Sequence, residues 1–134
     1  MVATAGTVEH RAKILVTDDD VRWREGLREA FEPRGYQTLE AASGEEAIDA
    51  VIEQRPHLVI LDIQLPHMNG IETLRIIRRE VSVELPAIIV SSAVSDHVMA
   101  EALALHAFTV MSKMVGVHQM LYTVAKALSR HYCL

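Results

Sequence analysis

Polar side chains that could do chemistry stand directly after four short apolar stretches of this sequence. Such stretches, rich in aliphatic and β-branched residues, are typical of strands buried on both faces, as in a parallel sheet. The carboxyl ends of parallel strands lie along one edge, so we expect the polar groups to converge there. The stretches and the residues that follow them are 13–17 with Asp18 and Asp19, 58–61 with Asp62, 87–90 with Ser91 and Ser92, and 108–112 with Lys113.

The combination of these groups indicates phosphoryl transfer. Converging carboxylates repel one another unless they are protonated or bind a cation. Oxygen ligands without histidine or cysteine favour a hard ion, and a small set that leaves room for water suits Mg²⁺. A hydroxyl and an ammonium opposite the acids suit phosphoryl oxygens, and an aspartate can act as the nucleophile. Each residue taken singly has a plainer interpretation, since strand-end acids often cap helices and a lone lysine is usually solvated.

Helical periodicity separates the strands. Ser43 and Glu46 have the spacing of a capping box. Pro33 and Gly35 end the first helix, and Pro56 and Pro86 come before the third and fourth strands. Five strands alternating with five helices predict an α/β fold, a doubly wound five-stranded parallel sheet with helices on both faces. The apolar positions assigned to the helices include Trp23, Leu27, Ala30 and Phe31 in the first, Ala47, Ile48, Val51 and Ile52 in the second, and Val117, Met120, Leu121, Val124 and Leu128 in the last.

The bulk composition is that of an ordinary globular domain. The chain has 134 residues, of which 50% are apolar, and a formal net charge of −5. We expect residues 1–12 to form a flexible tail and residues 13–131 a single domain. The net charge argues against direct nucleic-acid binding, and no apolar run approaches the length of a membrane span. The lone Cys133 cannot form an internal disulfide and no secretory signal is evident, so we expect a cytoplasmic protein.

Over residues 13–128 the sequence resembles the receiver domain of bacterial two-component response regulators (the CheY-like superfamily). The resemblance implies a flavodoxin-like sheet with strand order 2-1-3-4-5. It is carried by Ile14-Leu15-Val16-Thr17-Asp18-Asp19-Asp20, by Asp62 with Leu65-Pro66-His67-Met68-Asn69-Gly70, by Leu85-Pro86 with Ser91, and by Lys113.

The resemblance also implies a role for each site residue. Asp62 would accept a phosphoryl group from a sensor histidine kinase or a histidine phosphotransfer protein. Asp18 and Asp19, with Asp62 and the backbone carbonyl of Gln64, would hold Mg²⁺. Lys113 would pair with the phosphoryl group. The protein would then be a signalling domain rather than an enzyme, limited to its own phosphorylation and dephosphorylation.

The family pattern favours Ser91 over Ser92 as the hydroxyl that bonds the phosphoryl group, because it lies five residues after Pro86. Three positions depart from the pattern. Met114 replaces the proline that usually follows the lysine through a cis bond, so we expect a trans Lys113–Met114 bond. Val110 replaces a common aromatic residue, and His106 stands where glycine usually takes a left-handed turn.

Two other functions compete with a phosphorylated receiver. The first is a pseudo-receiver that docks partners without phosphorylation, which Met114 and Val110 favour and the intact acids oppose. The second is a small Mg²⁺-dependent phosphatase of the haloacid-dehalogenase type, but residues 18–22 fit its motif only in part and the chain lacks room for a cap. Only His131 to Leu134 follow the last helix, so we expect a stand-alone receiver or the front of a longer regulator. The low charge of that helix is compatible with a homodimer, although packing against the sheet is the simpler account.

Overall fold

The computed structural model describes residues 11–132, which form one parallel sheet flanked by helices. The sheet order is β2-β1-β3-β4-β5, which confirms the predicted doubly wound α/β fold. Residues 1–10 of the predicted tail, and Cys133, lie outside the described residues. The strands are β1 (Lys13–Thr17), β2 (Gln37–Ala41), β3 (Leu58–Asp62), β4 (Ala87–Ser91) and β5 (Thr109–Ser112). The helices are α1 (Val21–Phe31), α2 (Gly44–Gln54), α3 (Gly70–Glu80), α4 (Asp96–Ala104) and α5 (Val117–Tyr132), with a 3₁₀ turn at Glu32–Arg34.

The core lies in two layers, one on each face of the sheet. Successive residues of a strand point to opposite faces, so β1 sends Leu15 to one layer and Ile14 and Val16 to the other. The layer containing Leu15 is closed by α2, α3 and α4, and the other by α1 and α5. Strands β1, β3 and β4 are buried on both faces, as their unbroken apolar runs predict.

Polar side chains begin the helices where strands give way to them. Asp20, Ser43 and Ser95 are the N-caps of α1, α2 and α4, and each accepts a hydrogen bond from a backbone N–H of the first turn. Asn69 and Glu72 form a reciprocal capping box at the start of α3. These caps fix the loops at the carboxyl edge of the sheet, which is where the predicted site residues lie.

Two residues assigned to buried helix faces lie in solvent instead. Ile52 of α2 is 53% exposed and Val117, the first residue of α5, is 46% exposed. Residue 52 follows Val51, whose side chain already points to the core, and the hundred-degree rotation per residue turns its neighbour outward. Within residues 11–132, no helix combines the length and apolarity that crossing a membrane requires.

Candidate functional site

Three carboxylates meet at the carboxyl edge of the sheet. Asp18 follows β1 and Asp62 ends β3, and these strands are neighbours. One oxygen from each of Asp18, Asp19 and Asp62 lies within 4.8 Å of the others. Asp18 and Asp62 are buried whereas Asp19 is exposed, so the cluster opens to solvent on the Asp19 side. The structure thus brings together the three acids that the sequence singled out.

Backbone N–H groups orient the two buried carboxylates. The N–H of Asp20 donates to Oδ1 of Asp18 at 2.8 Å, and the N–H of Gln64 donates to Oδ1 of Asp62 at 3.1 Å. Each bond is local, from the residue two positions later, and fixes the direction of the carboxylate relative to its strand end. The Oδ2 atoms are left to face Lys113.

Lys113, one residue past β5, supplies the counter-charge. Its Nζ lies 2.7 Å from Oδ2 of Asp18 and 3.1 Å from Oδ2 of Asp62. Burial lowers the pKa of this ammonium, but the hydrogen bonds and charges of Asp18 and Asp62 outweigh burial and hold the pKa above its ordinary value. The lysine is therefore a fixed cation between two carboxylates.

Asp18 is the acid whose ionised form the site disfavours. Burial raises the pKa of its carboxyl, and the charge of Asp62 acts in the same direction. The hydrogen bonds from Lys113 and from the N–H of Asp20 oppose this effect without cancelling it. Asp18 thus holds its proton more tightly than an exposed aspartic acid does.

The donor set fits a hard divalent cation. Three carboxylates, two of them buried, face a single ammonium, and oxygen ligands of this kind suit Mg²⁺. Asp18, Asp19 and Asp62 would provide its side-chain ligands. Gln64, whose carbonyl the resemblance adds to the set, is exposed next to Asp62.

Ser91 and Ser92 differ sharply in environment. Ser91 ends β4, is 5% exposed and pairs in register with Ser112, directly before Lys113. Its hydroxyl donates to the carbonyl of Ala93 at 2.9 Å and accepts from the Ala93 N–H at 3.2 Å. Ser92 is exposed. The hydroxyl of Ser91 therefore lies at the site's edge but is engaged in a local turn.

The departures from the family pattern lie in β5 and the loops on either side of it. No cis peptide bond occurs between residues 11 and 132, so the Lys113–Met114 bond is trans, as predicted. The Met114 side chain is 87% exposed, whereas Val110 is buried. His106 does take the left-handed conformation, with φ of 59°. The guanidinium of Arg78 donates to the carbonyl of His106 at 3.2 Å and stabilises this turn.

Two residues of α1 contact the site, and the sequence interpretation gave neither a role there. Arg24 donates to the backbone carbonyl of Asp18 at 2.6 Å and pairs with Glu40 of β2 at 2.9 Å. The ring of Trp23, assigned only to a buried helix face, has its centroid 5.1 Å from Nζ of Lys113. Arg24 and Trp23 lie in the first turn of α1, which follows the acids and begins at the same edge of the sheet. This position was the available signal that they would contact the site.

Comparisons with known proteins match this chain to a protein family. The family model for the response regulator receiver domain matches residues 14–125. Sporulation initiation phosphotransferase F of Bacillus subtilis is 49% identical over 63 residues, which are 47% of this chain and 51% of that protein. The DNA-binding response regulator MtrA of Mycobacterium tuberculosis is 41% identical over 75 residues, 56% of this chain and 33% of that protein. The matched part of the chain thus spans about half of the first relative and a third of the second.

Solved structures give the same fold over a larger part of the chain. The receiver domain of the Francisella response regulator 1452 superposes with a TM-score of 0.83 and 26% identity, covering 90% of this chain and 98% of that one. A chain of the CheX–CheY–BeF3–Mg²⁺ complex from Borrelia burgdorferi gives a TM-score of 0.80 and 26% identity, over 86% of this chain and 87% of that one.

Proposed function

Since this chain belongs to the family of response regulator receiver domains, we propose that it is a signalling receiver that takes a phosphoryl group onto Asp62. The observation that carries the proposal is the placement of Asp62, a buried carboxylate at the end of β3 with Lys113 at 3.1 Å and two further acids beside it. Residues 13–131 would act as the single receiver domain, in the cytoplasm.

The proposed donor is a phosphohistidine on a sensor kinase or a phosphotransfer protein. An oxygen of Asp62 forms a bond to phosphorus while the N–P bond of the donor breaks, and the electron pair of that bond returns to the imidazole. The product is an acyl phosphate on Asp62. The name of the Bacillus relative, a phosphotransferase, supports this class of reaction.

Each side chain of the site has a proposed task in that transfer. Lys113 pairs with the incoming phosphoryl oxygens, since it already lies between Asp18 and Asp62. Asp18 and Asp19, with Asp62 and the carbonyl of Gln64, hold Mg²⁺, which when bound neutralises charge on the carboxylates and the phosphoryl group. Ser91 gives up its turn with Ala93 and donates to a phosphoryl oxygen. Partners read the resulting change through protein contact, in the manner of a population shift.

Phosphorylation by a small-molecule donor tests the proposal directly. We expect incubation with Mg²⁺ and acetyl phosphate or phosphoramidate to add one phosphoryl mass, measured on the intact protein. EDTA should prevent the gain, and Asp62→Asn should abolish it. Asp20→Asn is the matched control, because Asp20 is a neighbouring acid whose task is to cap α1 and whose amide replacement still caps.

The same experiment decides between the receiver and the pseudo-receiver. No mass gain with either donor in the wild-type protein would favour a docking module, and Met114 would be the first residue to replace, by proline. A gain that survives in Asp62→Asn would place the acceptor elsewhere. A gain in both the wild type and Asp20→Asn, lost only in Asp62→Asn, supports the proposed acceptor.

A further inference from the structure

Lys113 has a third contact besides its two carboxylates, the ring of Trp23. The ring centroid lies 5.1 Å from Nζ, within the range in which an aromatic face attracts an ammonium. Trp23 is the only tryptophan of the chain and is half-buried. It reaches the lysine from α1, across the boundary between α1 and the loop that leads into α5.

The two residues both line one small cavity. This cavity of about 190 Å³ lies between α1 and the start of α5, and Leu27 and Met120 complete its apolar lining. The indole therefore does more than cover the core. It places an electron-rich face next to the charged end of the lysine, at a point where water is partly excluded and such attraction is strongest.

The contact matters because the two carboxylates that hold Lys113 have a second proposed partner, a divalent cation. Oδ2 of Asp18 and Oδ2 of Asp62 hold Lys113 in the structure, and these acids are also the proposed cation ligands. A lysine that shares its carboxylates with a divalent cation loses part of their attraction. The ring face of Trp23 does not ligate a cation of this kind, so it can hold the ammonium in either state.

The loop around Lys113 gives the side chain little other support. The backbone of Lys113 is held by the hydrogen bond from its N–H to the carbonyl of Ser91 at 2.9 Å. The next residue, Met114, points into solvent and is 87% exposed. A long side chain with four rotatable bonds then depends on contacts at its far end for its position.

We propose that Trp23 is a positioning residue that holds the ammonium of Lys113 at the acidic site through its ring face. This inference rests on the proposed function, in which Lys113 pairs with the phosphoryl group. It goes beyond that function by assigning a task to a residue of α1 that touches neither the acids' ligand atoms nor the phosphoryl group.

Nuclear magnetic resonance can observe the contact in both states. An aromatic face shifts nearby proton resonances upfield, so we expect the Lys113 ε-methylene protons to be shifted upfield in the metal-free protein and to stay so with Mg²⁺ and beryllium fluoride added. The same protons in Trp23→Leu should lie at ordinary lysine positions. Loss of the upfield shift in the wild type when Mg²⁺ and beryllium fluoride saturate the site would overturn the proposal.

Phosphorylation rates with acetyl phosphate provide the functional readout. We expect Trp23→Phe, whose ring attracts a cation less strongly, to lower the rate about two- to threefold and Trp23→Leu about five- to tenfold. Met120→Leu is the matched control in the same cavity and should stay within about twofold of the wild type, as a volume-conserving change does. Equal rates for the Leu and Phe variants would refute the inference.

Failure of this inference and failure of the proposed function are distinguishable. A wild-type protein that gains no phosphoryl mass contradicts the proposed function, whereas the resonance experiment still tests the contact. A wild-type protein that is phosphorylated no faster than Trp23→Leu retains the proposed function and loses the role of Trp23.

Discussion

At the residue scale, the acidic site holds more negative than positive charge, and this opposes folding. Asp18 is fully buried and its pKa is raised, first by burial and also by the charge of Asp62. A raised pKa means that the folded chain holds a proton on Asp18 more tightly than the unfolded chain does. The stabilisation is complete below the ordinary pKa of 3.8 and is lost as the pH rises through the folded value. The ionised form of Asp18 therefore opposes folding.

Asp18→Asn removes that opposing charge. We expect the variant to raise the free energy of unfolding at neutral pH without metal, measured by urea denaturation. Added Mg²⁺ should stabilise the wild type and leave the variant unchanged, because a cation that binds only the folded state shifts the equilibrium by mass action. A less stable variant would mean that the pairing of Asp18 with Lys113 outweighs its burial. Asp20→Asn, at an exposed neighbouring acid, is the control.

The sequence predicted the residues of this site better than their contacts. Strand-end position alone selected Asp18, Asp19, Asp62 and Lys113, because parallel strands bring their carboxyl ends to one edge whatever the side chains do. The ring of Trp23 escaped the interpretation because helical periodicity distinguishes a buried face from an exposed one but not which polar group lies beside it.

At the element scale, α3 begins in direct contact with the backbone of Asp62. The N–H of Gly70 bonds the carbonyl of Ile63 at 3.0 Å, and a Cβ on Gly70 would overlap the carbonyl oxygen of Asp62 and lie 2.9 Å from its carbonyl carbon. The first turn of the helix can approach the strand end only without a side chain. Gly26 offers a contrast, because a Cβ there meets nothing within 4 Å.

The same substitution is therefore expected to have opposite effects at these two glycines. Gly70→Ala should lower the free energy of unfolding by about 1–3 kcal/mol, as overpacking does, and should slow phosphorylation by displacing Asp62. Gly26→Ala, inside α1 and with open space around the added Cβ, should raise that free energy by about 0.5–1 kcal/mol. Urea denaturation measures the stability of each variant, and intact mass measures its phosphorylation. Equal stability of the two variants would contradict the described packing at Gly70.

Local sequence signals predicted where helices begin but not every partner within their caps. Ser43 does cap α2, yet the carboxylate of Glu46 accepts from the N–H of Ala42 at 2.9 Å rather than from Ser43 itself. The reciprocal capping box lies at Asn69 and Glu72, whose spacing is the same. The backbone differs at the two N-caps, with φ of −153° at Ser43 and −76° at Asn69, and side-chain spacing does not encode this difference.

At the scale of the whole molecule, topology was the most predictable feature. Five strands separated by helices, with short connections, leave few arrangements of a parallel sheet. What the pattern could not predict is how the opposite edge of the sheet, away from the acids, is closed. There, side chains from distant parts of the chain meet, and no local periodicity specifies such pairs.

His57 joins three elements at that opposite edge. Its Nδ1 accepts from the backbone N–H of Lys13 at 2.9 Å, and its carbonyl accepts from the hydroxyl of Tyr132 at 2.7 Å. The rings of His57 and Tyr132 meet edge to face, with centroids 5.4 Å apart. The starts of β1 and β3 and the end of α5 are thus joined through His57, whose Nδ1 must be unprotonated to accept the Lys13 N–H bond.

This arrangement makes stability depend on pH in a defined direction. Burial, followed by the charge of Lys13, lowers the pKa of His57 below its ordinary value of 6.5. The folded chain therefore prefers the neutral ring, and the stabilisation present above 6.5 is lost as the pH falls from there toward the folded value. Between about pH 7 and about pH 5.5, we expect the wild type to lose from a few tenths to about 1 kcal/mol through this group.

His57→Asn isolates the contribution, because an amide oxygen accepts the Lys13 N–H bond without titrating. We expect the variant to lose less stability than the wild type over the same pH interval in urea denaturation. Tyr132→Phe removes the hydroxyl bond and leaves the imidazole in place, so it should be less stable at every pH but keep the wild-type slope. If His57→Asn shows the full slope, groups other than the imidazole of His57 produce the pH dependence.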